Sequence, residues 1–333
     1  MRINRRQFIK AAAAASISNQ GIHGLRGADK PLRVEGLPRR ILGKTNESVT
    51  ILGLGGAWIA HDKTARGRKG SEAHSRAIIE AALEGGIRYF DTAPNYYMSE
   101  ERLGPALAPI RDQVFLVTKL DHADAKSAEQ DLMNSLKLLK TDHVDLLLLH
   151  GLGLDTFDNL AAVQQKDGAM TFLRQAKEKG LTRFIGFSSH PRQMESQRQF
   201  AVTTEIDVIQ PFINCVSRAE NNMEQAVVAF AHAHNIGVTA MKVLGGDGQL
   251  ADDYDRAFRY ALSVPGVHCA LIGAASAHEV KRAVQAARDF RLLTDAEMQE
   301  TIALGRKSFE SKSRKAALLR RHNQRDLGDL ACA

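Results

Sequence analysis

Four side chains suited to proton transfer stand at the ends of consecutive apolar runs. Phe90-Asp91-Thr92-Ala93-Pro94-Asn95-Tyr96 ends one run with a carboxylate and, five residues on, a phenol. Val117-Thr118-Lys119 ends the next with an amine, and Leu148-Leu149-His150 ends the one after with an imidazole. Singly, each has an ordinary structural role; an Asp-Thr pair, for instance, often caps a turn. As a set they fit the addition of hydride to a carbonyl, which leaves an alkoxide in need of a proton. A tyrosine, with its pKa of about 10, holds a proton at neutral pH but gives it up reluctantly. A neighbouring ammonium favours the phenolate and is expected to lower that pKa. A buried ammonium needs a counter-charge, which Asp91 supplies. His150 is placed to hydrogen-bond the carbonyl oxygen and orient it.

These residues need a scaffold that brings successive strand ends together. Strand-like runs lie at Val49–Gly53, Tyr89–Thr92, Val114–Leu120, Val144–His150, Arg183–Ser188, Val208–Asn214, Gly237–Val243 and Cys269–Gly273. They lack the apolar/polar alternation of half-exposed strands, as strands buried on both faces do. Between them fall helical patterns such as Ala77–Glu84, Ala128–Leu139, Thr171–Lys179, Met223–His234 and His278–Arg288. Strand and helix in alternation predict a parallel α/β sheet. Eight units over about 240 residues predict a closed (β/α)8 TIM barrel in a single domain, with its site at the rim where strands end. The alternative is a doubly wound open sheet. Its phosphate turn asks for GxGxxG after the first strand, and Gly53-Leu54-Gly55-Gly56-Ala57-Trp58 lacks the last glycine.

The 333 residues are 44% hydrophobic and 25% charged, with no apolar run of membrane-spanning length. The net charge of +7 sits in residues 1–40, which hold nine Lys/Arg against two Asp/Glu, so the rest is electroneutral. That distribution argues against a nucleic-acid partner, whose binder carries its excess on the folded body. Cys215, Cys269 and Cys332 show no metal spacing, so neither a metal site nor a disulfide framework is expected. The opening Met1-Arg2-Ile3-Asn4-Arg5-Arg6-Gln7-Phe8-Ile9-Lys10 and five alanines resemble a bacterial twin-arginine (Tat) leader. This implies engagement of the Tat export machinery and a periplasmic, already folded product. The expected organisation is leader 1–30, barrel 31–305 and a basic tail 306–333. The cluster Arg306 to Arg325 reads as a solvated helical tail, with an interaction surface as the alternative.

Asp91-Thr92-Ala93-Pro94-Asn95-Tyr96 with Ser99-Glu100 and Leu103-Gly104 is similar to the signature of the aldo-keto reductase family, as are Val117-Thr118-Lys119 and the Asp145-to-His150 strand. The resemblance runs from about Gly43 to Ala287. It implies a catalytic tetrad of Asp91, Tyr96, Lys119 and His150, with Tyr96 as general acid or base, and a nicotinamide cofactor, NADP or NAD. Tyr97 stands where the family often has Gly. The family holds the carboxamide with Ser-Asn and Gln; this chain offers Ser188, Ser189 and Gln210. Its aromatic and Ser-Pro-Leu are replaced by Met241, Lys242, Val243, Leu244 and Gly245. Lys242 is open to two roles, a pyrophosphate contact or a scaffold cation, and Asn214 to a cofactor contact or a turn cap. Gly273, Ser276 and Lys281 are the expected contacts after the last strand. Glu279 stands where NADP-preferring relatives carry Arg, which favours NAD(H) or relaxed specificity. Trp58, Asn95 and Tyr97 are the candidate substrate contacts, suited to an aldehyde, ketone or sugar. The resemblance also admits a nicotinamide-binding regulatory subunit, or an exported sugar-modifying enzyme that recycles a tightly held cofactor.

Overall fold

Eight short runs of Val, Ile, Leu and Phe have apolar neighbours on both faces, and a closed parallel sheet is what satisfies them. The computed structural model describes residues 36–62, 68–246 and 248–311; the expected leader and most of the expected basic tail lie outside them. The chain begins with a hairpin, β1 (Arg39–Ile41) and β2 (Ser48–Thr50), and continues through β3 (Leu52–Gly55) to a ribbon, β4 (His61–Asp62) and β5 (Arg68–Lys69). Then follow β6 (Tyr89–Asp91), β7 (Phe115–Leu120), β8 (Val144–Leu152), β9 (Thr182–Ser189), β10 (Val208–Pro211), β11 (Gly237–Ala240) and β12 (Cys269–Gly273). Strands β3 and β6 to β12 form a closed barrel in that order. Every pairing is parallel, and β12 closes onto β3 with Gly273 opposite Gly55. No helix among the described residues is long and apolar enough to cross a membrane.

The first strand differs from the expectation of Val49–Gly53. Residues 48–50 pair antiparallel with β1, and the barrel strand starts at Leu52. The run from Val49 to Leu54 is apolar nearly throughout, so periodicity cannot place its register. Thr50 marks the bend by donating its hydroxyl to the Leu52 carbonyl at 2.8 Å. Leu42 and Val49 of the hairpin region then pack with Tyr89, Phe115 and Leu146 in the barrel interior. The hairpin thus plugs the end of the barrel opposite the site.

The strand ends place the site side chains. β8 runs two residues beyond His150. β10 and β11 stop short of the expected Asn214 and Val243, so Met241 meets Phe212 only through a single bridge. Lys242 takes a left-handed turn conformation with φ 56°. The helix Glu72–Glu84 is capped by Ser71, whose side chain accepts the His74 N–H, and Ala125–Leu139 is capped likewise by Asp124 onto Ser127. The helices Ser99–Leu107 and Ala125–Leu139 meet at Gly104, where an added Cβ would lie 2.1 Å from the Leu138 carbonyl oxygen. A helix over 295–311 crosses the expected barrel–tail boundary at 305/306. Its Met298, Ile302 and Phe309 pack on the core, so the apolar face holds the helix across that boundary.

The expected helix Met223–His234 is broken. It winds as a π-turn over Glu224–Val228 before continuing over Ala229–Ala233. Glu224 is buried there; its Oε1 accepts the Tyr260 hydroxyl at 3.1 Å, and its Oε2 has no hydrogen-bond partner among the described residues. Burial pushes its pKa from the ordinary 4.5 up to about 7. Folding therefore favours the protonated acid. This contribution is complete below about pH 4.5 and is lost as pH rises through 7. Glu224→Gln, which keeps a neutral hydrogen-bonding group, is expected to stabilise the protein at pH 8 by up to roughly 3 kcal/mol and to have little effect at pH 4.5. Equal shifts in thermal midpoint at the two pH values would contradict this account.

Candidate active site

Lys119 is the centre of the site. The end of β7 places it inside the barrel at 0% exposure, so its charge must be met locally. Its Nζ donates to both carboxylate oxygens of Asp91 at 2.9 Å and to the Thr92 carbonyl at 2.7 Å. Register makes this reachable: Asp91 lies opposite Val117 on the adjacent strand. Burial alone would pull the ammonium's pKa down, but Asp91 and Tyr96 outweigh it and the value is raised. Lys119 is therefore a fixed cation. It lies 4.6 Å from the centre of the Tyr96 ring.

Tyr96 departs from the expected lowering of its pKa. Burial raises it; the charge and hydrogen bond of Lys119 lower it, Asp91 raises it again, and the net direction is upward. The main cause is burial of the phenol, which the Lys119 ammonium opposes but does not overcome, with Asp91 adding to the upward pull. Tyr96 thus keeps its proton well past neutrality. His150 completes the group. Its ring stands edge-on to Tyr96 with centroids 5.5 Å apart, and its Nδ1 lies 2.6 Å from Asp121 Oδ1.

The residues after Tyr96 explain why this loop keeps its shape. The hydroxyl of Thr92 donates to Ser99 Oγ at 2.8 Å, and that of Thr118 donates to Glu100 Oε1 at 2.6 Å. Ser99 and Glu100 thereby tie the start of their helix to the two strand ends bearing Asp91 and Lys119. Beneath them an added Cβ on Gly56 would lie 2.3 Å from Ser99 Oγ, so the loop after β3 fits only as glycine.

A cleft of about 580 Å³ opens from this group across the barrel rim. Of the expected cofactor contacts, Gln210, Met241, Lys242, Leu244, Gly245 and Gly273 line it, together with Asp91, Tyr96 and Trp58. Ser188, Ser189, Ser276 and Lys281 do not. The Ser188 hydroxyl accepts the Gly151 N–H at 2.8 Å, and that of Ser189 donates to Gln197 at 2.7 Å. Ser276 caps its helix by accepting the Glu279 N–H. Asn214 also acts as a cap: it accepts the Ser217 N–H and donates to the Lys242 carbonyl at 3.0 Å. Lys281 is exposed, and its neighbour Arg282 lines the cleft, with its guanidinium 4.5 Å from the centre of the Tyr254 ring.

Among the candidate substrate contacts, Trp58 is 45% exposed and Tyr97 is 42% exposed. His61 stands between them, 5.4 Å from each ring. Asn95 is exposed on the same loop but does not line the cleft. No group of three or more His, Cys, Asp or Glu able to hold a metal occurs among the described residues.

The model of the aldo/keto reductase family matches residues 52–257, a span that contains Asp91, Tyr96, Lys119 and His150 and all barrel strands but the last. The chain belongs to the aldo/keto reductase family. It is 34% identical over 179 residues to the aldo-keto reductase YhdN of Bacillus subtilis, covering 50% of each chain. It is 31% identical over 199 residues to NADPH-dependent codeinone reductase 1-4 of Papaver somniferum, covering 54% of this chain and 60% of that one. The match thus spans half to three-fifths of these relatives' length. The holo form of an aldo-keto reductase from Bacillus halodurans shares the fold with a TM-score of 0.66, at 23% identity over 80% of this chain and 96% of that one.

Three features of this family member were not legible in its signature. Asp121 lies at the same strand end as Lys119, only two residues on, so the rule that sites gather at strand ends could have found it. Arg282 follows an expected contact by one position, a helical phase that sequence alone leaves undecided. His61 belongs to a ribbon too short for any periodic signal.

Proposed function

We propose that this aldo/keto reductase family member moves hydride between NADP(H) and a carbonyl or alcohol, with Tyr96 as general acid in reduction and general base in oxidation. The observation that carries the reading is the buried Lys119 ammonium, clamped by Asp91 and facing Tyr96, with Asp91 and Tyr96 lining a cleft of about 580 Å³. The residues lining that cleft fit such a cofactor. Met241 offers a soft apolar surface. Gly245 and Gly248 take positive φ and allow close backbone approach, and Lys242 and Arg282 supply charge for phosphates. The nicotinamide, when bound, supplies the hydride; this chain positions the substrate oxygen beside His150 and delivers the proton from Tyr96.

The choice of NADP(H) rests on Arg282 and on the behaviour of Glu279. Glu279 lines the cleft, yet its Oε2 accepts the Ala275 N–H at 2.8 Å. Its carboxylate is thus engaged at its own helix N-terminus, where a negative charge is favoured. Arg282, one turn on, faces the cleft as a compensating cation. The NADPH dependence named for the Papaver relative points the same way. Titration of nucleotide fluorescence at fixed ionic strength tests this. NADPH should bind more tightly than NADH, and Arg282→Ala should weaken NADPH by about tenfold while sparing NADH, as loss of one charge-assisted contact implies. Equal weakening of both would remove Arg282 from the phosphate site. Failure of both nucleotides to bind would overturn the function.

Export through the twin-arginine route is part of the proposal, supported by Arg5-Arg6 and the alanine run alone. A reporter requiring folded export, fused to residues 1–40, should be translocated and should lose export with Arg5→Lys plus Arg6→Lys; no difference between the two would dismiss it.

A further inference from the structure

His150 is held by a carboxylate that the tetrad does not include. Asp121 Oδ1 lies 2.6 Å from His150 Nδ1, and each side chain is 19% exposed. The carboxylate itself is anchored. The Asp121 backbone N–H donates to Asp131 Oδ2 at 2.8 Å, and Asp131 also accepts the His122 N–H at 3.1 Å and faces the His122 ring nitrogen at 2.9 Å. Asp131 belongs to the helix Ala125–Leu139, so the turn bearing Asp121 is pinned to a rigid element. On its other side His150 meets the Tyr96 ring edge-on. Its Nε2 makes no hydrogen bond within the described residues.

We propose that Asp121 is a positioning residue: by accepting the Nδ1 proton it holds His150 in one tautomer and one orientation, with Nε2 as the nitrogen offered to the substrate oxygen. An ionised carboxylate can only accept, so the shared proton belongs to His150 Nδ1. The consequence is chemical. With its proton on Nδ1, a neutral imidazole presents a lone pair at Nε2 and accepts from an alcohol hydroxyl. It donates to a carbonyl oxygen only when the ring carries both protons. Without Asp121 the neutral ring is free to place its proton on Nε2 and act as a donor. Asp121 therefore decides which of the two substrate oxygens the neutral ring recognises, and it selects the alcohol. A carboxylate orients a histidine in the same way in hydrolytic triads.

This inference rests on the reductase reading, and its test separates the two. Nitrogen-15 NMR of histidine-labelled protein, with His150 assigned through His150→Gln, reads the tautomer whether or not the protein turns over. The wild type should carry the proton on Nδ1. Asp121→Ala should move it to Nε2, and so should Asp121→Asn, whose amide NH2 can donate to Nδ1 and so favours the proton on Nε2. In alcohol oxidation Asp121→Ala should lower kcat by roughly 10- to 100-fold, part of the 10²–10⁴ that a positioned proton-transfer group contributes. Nucleotide binding should not change. In a His150→Gln background the same substitution should have less than about a twofold further effect, because residues acting as a unit are non-additive. A wild-type proton on Nε2 would overturn the proposal. So would an equal loss in both backgrounds, which would make Asp121 a brace for its loop.

Discussion

Tyr96→Phe is expected to lower kcat for aldehyde reduction by about 10²- to 10⁴-fold with little change in nucleotide affinity. The expectation follows from what the substitution removes and what it leaves. The ring that faces the Lys119 ammonium at 4.6 Å is retained, so the packing of the rim should hold. Only the proton is lost. Burial, opposed by Lys119 and reinforced by Asp91, holds the phenol's pKa above its ordinary value, so the hydroxyl is fully protonated throughout the neutral range and acts as an acid there. The sign for the reverse reaction is opposite: oxidation of an alcohol needs the phenolate, so its rate should climb with pH up to and beyond 10 while reduction stays flat over pH 6–9. Steady-state rates in both directions, for wild type and variant, decide the matter. A loss of less than tenfold in kcat would assign the proton to another group.

How much of this was legible in the sequence depends on what each residue must satisfy. That Asp91, Tyr96, Lys119 and His150 come together was legible, because barrel closure forces successive strand ends to one rim, and Asp91, Lys119 and His150 end adjacent strands. Ser99 and Glu100 were visible as signature positions, but their task of tying a helix to Thr92 and Thr118 appears only in three dimensions. The first strand was misplaced because an unbroken apolar run carries no register. Tyr96's pKa was expected to fall because the sequence shows that a lysine is near. It cannot show how deeply the phenol is buried, nor that Asp91, which accepts from that lysine through both carboxylate oxygens, also pulls the value upward. Ser188 and Ser189 are expected cofactor contacts through the family resemblance; in the fold their hydroxyls bond Gly151 and Gln197. Strand-end position locates a residue, while the direction of its polar atom depends on neighbours distant in sequence.

Lys119→Met is the substitution for which activity and stability should fall together. A thioether of similar length fills the same channel but leaves the Asp91 carboxylate, 3% exposed, without the partner that now donates to both its oxygens. It also strips the Thr92 carbonyl of its donor. Removing one member of a buried ion pair costs about 3–5 kcal/mol, whereas removing both charges together is often close to neutral. Urea denaturation should therefore show a large loss for Lys119→Met and a smaller one for Asp91→Asn/Lys119→Met, in which no uncompensated charge remains. Catalysis should not follow this rescue. Neither variant retains the ammonium that opposes the upward pull of burial on Tyr96, so alcohol oxidation, which needs the phenolate, should be lost in both. Reduction, which uses the phenol already protonated, should suffer less. A double variant that recovered stability and oxidation alike would show that Lys119 serves the fold and not the chemistry. Recovered stability with oxidation still absent would identify the buried cation as the element that makes Tyr96 able to work in both directions.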